Sequence, residues 1–256
     1  MRRFLTTLTL LSAITATAAA AQVQVNNADI WLTASQPSAT FTVSNEGTDA
    51  TQFTLTDGDW DRADDGANRF FPAGSTSTSC ERGLTVLPRQ LRLAGGTSQT
   101  IRVALNPDSL PARSCWSIIF VESEAGSSTT TNSSIKYVAR IGVKVYYTPP
   151  RTVTQVDVVD FVQAPKAAPT DSDAVAFTVR NTGNRPVSLK GSVELRRSDN
   201  FVVQRVLVDA IPVLPGATRT IRTSFTKPLP GSYIALAVFD YGGSEDLAAQ
   251  SPVEIR

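Results

Sequence analysis

Histidine is missing from all 256 residues. Its absence removes the commonest general base, the Ser-His constellations and imidazole metal sites. The chain also has no G-x-S-x-G elbow and no phosphate-cradling G-x-x-x-x-G-K-[ST] loop. Neither an enzyme nor a cofactor is therefore expected. An excess of one charge is lacking too: 24 Lys and Arg stand against 23 Asp and Glu, a formal net charge of +1. That balance offers no electrostatic footprint for nucleic acid. After the first 21 residues no apolar run approaches the ~20 residues of a membrane span, so membrane insertion is not expected. Binding and structural roles remain.

Cysteine occurs only twice, at Cys80 and Cys115. Met1 to Ala21 reads as a secretory signal, with Arg2 and Arg3 ahead of an apolar, threonine-containing run that ends in Ala19, Ala20 and Ala21. The mature chain is expected to begin at Gln22, outside the cytoplasm, and no cysteine follows the cleavage site to carry a lipid anchor. An even number of cysteines in an oxidising compartment reads as one disulfide, Cys80 to Cys115. Closing a loop of this size contributes about 3 to 4 kcal/mol in the chain-entropy model.

The rest of the chain is a module used twice. Phe41 to Gly47 (FTVSNEG) answers Phe177 to Gly183 (FTVRNTG), each an alternating strand that ends in an Asn and Gly turn. Thr85 to Leu105 and Ile211 to Phe225 both run through Leu-Pro, a Gly-containing turn and Thr-Ile-Arg. Leu110 to Ser123 likewise answers Leu229 to Gly243. Three correspondences in one order indicate a repeat. Short strands punctuated by turns, with little helical periodicity, predict an all-β chain of two Ig-like β-sandwich domains in tandem, residues 22–148 and 149–256.

One stretch departs from short strands. Ser134 to Tyr147 contains no proline and places Ile135, Tyr137, Ala139, Ile141, Val143, Val145 and Tyr147 on one face, with Lys136, Arg140 and Lys144 on the other. Pro149 and Pro150 then stop it. An ordinary strand runs about five or six residues. A strand whose apolar row outruns its domain offers an adhesive edge, which natural proteins usually blunt unless pairing is its purpose. The polar stretch Glu124 to Ser133 reads as a loop feeding this strand. The acidic run Asp57 to Asp65 has the opening spacing of a calcium loop at Asp57, Asp59 and Asp61. Its sixth position, however, is Arg62 rather than Gly and its twelfth is Asn68 rather than Glu. No metal is expected there, and the carboxylates read as solvated at a strand end. Trp60 and Trp116 read as buried sandwich tryptophans.

In this order of motifs the chain resembles the periplasmic pilus-chaperone family, the PapD-like chaperones. The resemblance rests on FTVSNEG, on Trp60, on Leu84 to Val103, on Leu110 to Ser123, on Ile141 to Pro150 (IGVKVYYTPP) and on Phe239 to Gly243 (FDYGG). It implies an L-shaped pair of sandwiches in the periplasm that binds pilus or fibre subunits, with an outer-membrane usher as a second partner. Family members lend the long last strand of the first domain to a subunit that lacks its own final strand. The resemblance makes Ile135, Tyr137 and Ala139 the donated positions and Lys144 the cleft lysine that holds the subunit's terminal carboxylate. The family pairs that lysine with a first-strand Arg, but the aligned residue here is Asp29, so Arg140 or Arg102 is expected to supply the second donor. The family's interdomain charges are also rearranged, and Arg113 is expected to reach Asp240. A different reading of the same features is a two-domain Ig-like structural or adhesive envelope protein with no client.

Overall fold

The computed structural model describes residues 23–63, 67–109, 112–123, 126–130, 133–168 and 172–255. The expected secretory segment, Met1 to Ala21, and the end of the acidic run, Asp64 and Asp65, lie outside the described residues.

Among the described residues, twelve strands precede the two prolines: β1 (Val23–Val25), β2 (Asp29–Thr33), β3 (Ser38–Asn45), β4 (Thr51–Arg62), β5 (Asn68–Pro72), β6 (Leu84–Leu87), β7 (Gln90–Leu93), β8 (Thr97–Leu105), β9 (Cys115–Ser123), β10 (Gly126–Thr130), β11 (Ser133–Tyr137) and β12 (Arg140–Thr148). They form a four-stranded sheet, β1-β3-β8-β6, facing a larger one, β2-β12-β9-β4-β5, in which β7 also pairs with β4. Alternation along each strand turns Ile30, Leu32, Phe41, Val43, Leu55, Ile101, Val103, Ile119, Val121, Val143 and Val145 into the space between the sheets, all of them buried. The expected disulfide is present and joins Cys80 to Cys115 at a Cα separation of 5.2 Å.

Among the described residues, seven strands make the second sandwich: β13 (Val156–Ala164), β14 (Ala174–Asn181), β15 (Val187–Arg196), β16 (Val202–Val213), β17 (Thr218–Ser224), β18 (Gly231–Asp240) and β19 (Leu247–Ile255). Their sheets are β13-β14-β17 and β16-β15-β18-β19. The chain is therefore two Ig-like β-sandwiches in tandem, as the strand pattern predicts. The repeat is built with matching hydrogen bonds. Asn45 Nδ2 donates to Asp49 O (2.7 Å) and Leu93 O (3.1 Å), while Asn181 Nδ2 donates to Arg185 O (2.8 Å) and Val213 O (2.9 Å). Each Asn Oδ1 accepts from the glycine two residues on, Gly47 or Gly183. Each Asn carbonyl accepts at 2.8 Å from a left-handed glycine, Gly96 (φ 68°) or Gly216 (φ 76°). These are the glycines of the two Leu-Pro/Thr-Ile-Arg segments, so the sequence repeat marks one corner motif used twice.

Two expectations need correction. Ser134 to Tyr147 is not one uninterrupted strand, and Glu124 to Ser133 is not simply a loop. β11 pairs with β10, and β12 pairs with β9. The register slips between the two halves, because Tyr137 faces Gly126 whereas Arg140 faces Glu122. At the break Ser123 N donates to Ala139 O and Ala139 N donates to Ser123 Oγ. The Ser and Thr residues of β10 suit a strand once it has a partner, since β-propensity follows context.

The acidic run also differs from expectation. Asp57, Asp59 and Asp61 lie along β4, and none is simply solvated. Asp57 pairs with Arg89 (2.7 Å), and Asp61 is held by two nitrogens of Arg69 (2.6 and 2.7 Å). Asp59 is fully buried and accepts from Thr76 N, Thr76 Oγ1, Ser79 Oγ and Ser117 Oγ. It therefore pins the segment that leads into Cys80.

Candidate functional site: a cleft between the sandwiches

The strands that fill the first core with one row of side chains carry a second row on their opposite face. On β2 this row is Asp29 and Trp31, on β12 Lys144 and Tyr146, on β9 Trp116, Ile118 and Phe120, and on β4 Trp60 and Arg62. All three tryptophans of the chain meet here. Trp31 stacks on Tyr146 with centroids 4.2 Å apart, Trp60 meets Tyr146 edge-on at 5.8 Å, and Trp116 Nε1 donates to Trp60 O (3.0 Å). Leu214, in the turn between β16 and β17 of the second sandwich, is buried among them, and Ala217 packs alongside. Gly58 and Gly142 leave room for this row, because a Cβ on either would come within 2.7 Å of Phe120 or 2.5 Å of Ile118. Trp60 and Trp116 are thus buried, but against the other domain rather than in the sandwich core as expected.

A charged pocket edges this apolar cluster. Parallel pairing of β2 and β12 sets Lys144 opposite Asp29, and Lys144 N donates to Ala28 O (2.7 Å). The Lys144 ammonium lies over the Trp60 ring, 4.4 Å from its centroid, and the Arg62 guanidinium is 5.8 Å from the same centroid. Arg219, at the start of β17, brings a third positive charge from the second sandwich; its Nε is buried without a hydrogen-bond partner among the described residues. Burial and then the charge of Arg62 push the Lys144 pKa down, Asp29 pulls it back up, and Arg219 lowers it further. Arg62 is lowered by burial and by Arg219, against Tyr146 and Asp29. Tyr146 donates its hydroxyl to Asp29 Oδ1 (3.0 Å), and burial together with that carboxylate pushes its own pKa up. Lys144, Arg62 and Arg219 thus gather near the half-buried Asp29 carboxylate, an excess of positive charge among the described residues that suits a further anion.

Next to this pocket a sheet edge is open. β2 pairs with β12 only over Lys144 to Thr148. From Arg140 to Val143 β12 has β9 on one side and no partner on the other among the described residues, and β11 has only β10. The hairpin arm thus presents backbone along one edge from Ser133 to Val143. Ile135 and Tyr137 lie on its β11 half, and their side chains lie outside the described part of the structure. Ala139 is half-buried and Val138 is exposed.

The second donors expected for Lys144 are not beside it. Arg140 forms an ion pair with Glu122 (2.8 Å) and stacks on Phe120 with its Cζ 3.6 Å from the ring centroid. Four residues at ~3.3 Å each also put it about 13 Å along the strand from Lys144. Arg102 points out of the four-stranded sheet between buried Ile101 and Val103, on the opposite outer face of the sandwich. The Arg113 to Asp240 pair does not form either. Arg113 donates to Ser77 O beside the disulfide, and Asp240 Oδ1 accepts from Gly242 N (2.7 Å) within its own turn. Trp31, Arg62, Leu214 and Arg219 were missed as cleft residues. For Arg62 a signal exists in its spacing of two from Trp60, which puts both on one face of a strand.

No protein-family model matches the sequence, and no curated protein sequence matches it. Solved structures do. The class 5 fimbriae chaperone CfaA superposes over 91% of this chain and 100% of its own, with a TM-score of 0.50 at 13% identity. The SafB chaperone, solved with the Salmonella enterica SafA pilin, covers 93% of this chain and 99% of its own at 14% identity and TM-score 0.49. The YadV chaperone covers 89% and 98% at 15% identity and TM-score 0.48. The chain has the two-sandwich fold of the fimbrial chaperones, as its order of motifs implies.

Proposed function

We propose that the chain is a periplasmic chaperone that caps fibre subunits by donor-strand complementation and hands them to an outer-membrane usher. The observation that carries this reading is the open edge from Ser133 to Val143, which runs directly into a pocket of three cations. An extended edge supplies backbone pairing to a subunit with a missing strand, alternate side chains fill its groove, and the cations take its terminal carboxylate. Ile135, Tyr137 and Ala139 are the donated positions, and Lys144, Arg62 and Arg219 the carboxylate donors. In this reading Met1 to Ala21 is removed after Ala21 on export, and residues 22–148 and 149–256 are the two domains.

The test is co-purification of the exported chain with the fibre subunit of its own operon. Each large donated side chain contributes about 1.5 to 3 kcal/mol. Ile135→Asp and Tyr137→Asp should abolish recovery of the subunit while the unfolding temperature of the free chain stays within a degree or two. Recovery of the subunit at wild-type yield with both substitutions in place would refute donation by this strand. A wild-type chain that leaves with no subunit bound would instead favour a structural or adhesive envelope protein with no client.

A further inference from the structure

The cleft contains a residue that works against an anion. Asp29 stands in register with Lys144 on the parallel strands β2 and β12, and both side chains lie on the outer face of the sheet. Its carboxylate cannot simply swing to solvent, because Oδ1 accepts the hydroxyl of fully buried Tyr146 at 3.0 Å. Tyr146 in turn is clamped between the rings of Trp31 and Trp60. A negative charge is thus built rigidly into a cleft whose other charges among the described residues, Lys144, Arg62 and Arg219, are positive.

We infer that Asp29 sets the strength and selectivity of this pocket by acting as a resident counter-ion that competes with an incoming terminal carboxylate. This rests on the reading of the pocket as a carboxylate site. Like charges a few ångströms apart in a partly desolvated cleft repel measurably, and a fixed charge costs nothing to reorganise. A single carboxylate is therefore held less tightly than three cations alone would hold it. That suits an end which must be released to the next partner. Burial and the two arginines lower the Lys144 pKa and the Asp29 carboxylate opposes them, the signs this arrangement requires.

The probe is an acetylated octapeptide of alternating valine and threonine, made with either a free carboxylate or a carboxamide end and titrated into the full chain. The cleft tryptophans report binding. Asp29→Asn keeps an acceptor for the Tyr146 hydroxyl and removes the charge. It should raise the preference for the free carboxylate over the carboxamide about three- to tenfold, and 0.5 M salt should shrink the gain, on the order of a Debye length of a few ångströms. Asp29→Glu, which restores the charge, should return the preference toward wild type. Asp29→Ser is the second neutral variant should the amide disturb folding. An unchanged or weaker preference in both neutral variants, with wild type still favouring the carboxylate, overturns the role of Asp29 and leaves the pocket reading intact. Equal binding of both peptides by wild type overturns the pocket reading and this inference with it.

Discussion

Leu214 is the side chain through which the second sandwich enters the aromatic cluster of the first, and its truncation isolates what that contact does. It belongs to the cluster of Trp60, Trp116, Ile118, Phe120 and Tyr146 and not to the second core. Leu214→Ala should therefore leave each sandwich intact and act between them. Three carbons are deleted from a residue only 5% exposed. At ~0.8 kcal/mol per buried methylene this costs about 2.5 kcal/mol, and rigid aromatic walls that cannot collapse push it toward ~4 kcal/mol. The loss appears as lost coupling, since the polypeptide linking the domains, Pro149 to Gln155, contains no strand. Calorimetry should resolve two unfolding transitions where the parent shows one, and small-angle scattering should show a wider spread of domain separations. Arg219 follows Leu214 by five residues, so its place beside Lys144 should loosen as well, and carboxylate preference should fall. A variant with a single transition and unchanged scattering would refute the claim that this contact holds the domain angle.

Two further outcomes follow from buried polar groups. Asn45→Ala and Asn181→Ala each strip two carbonyls and one N–H of their partner. Each should cost about 2 to 4 kcal/mol of the stability of its own sandwich only, read as a shift in one calorimetric transition of the Leu214→Ala background. In the second sandwich Glu194 is buried, which alone would raise its pKa, but hydrogen bonds from Arg196 (2.7 Å) and Arg205 (2.6 Å) outweigh burial and hold it below the ordinary 4.5. A lowered folded pKa stabilises above the unfolded value and loses that contribution as pH falls through the folded one. The stability gap between wild type and Glu194→Gln in urea unfolding should thus be constant near neutrality and shrink below about pH 4.5; a gap that widens in acid would refute it.

What the sequence disclosed was local and periodic. Alternation identified the strands, and the Asn-x-Gly and Leu-Pro/Thr-Ile-Arg signals located both copies of the corner built on Asn45 and Asn181. Compartment chemistry gave Cys80 to Cys115. The break at Val138 and Ala139 was not legible, because Ile135 to Tyr147 keep one apolar parity across it, and the shift in pairing shows only once the partner strands are known. Nor could the acidic run be told from a wet turn, since burial of Asp59 depends on donors 17 to 58 residues away. For the cleft, proximity in sequence misled. Arg140 lies on the strand of Lys144 yet reaches Glu122, while Arg219 stands 75 positions on and arrives only because Leu214 docks its turn.

Splitting the proposed anchor between two domains changes what an anion would do to the molecule. With both donors on the first sandwich, a bound carboxylate would report only on that domain. Here Arg219 belongs to the second, and its charge opposes those of Arg62 and Lys144 across the junction. Docking of Leu214 therefore has to hold three cations near one another against their repulsion, with Asp29 relieving part of it. A carboxylate between them removes the remaining repulsion and draws both sandwiches onto one ligand. By reciprocity, whatever a bound anion contributes to holding the domains together, the docked interface returns as affinity for the anion. The aromatic cluster and the charged pocket are for that reason a single device, and loosening the first must weaken the second.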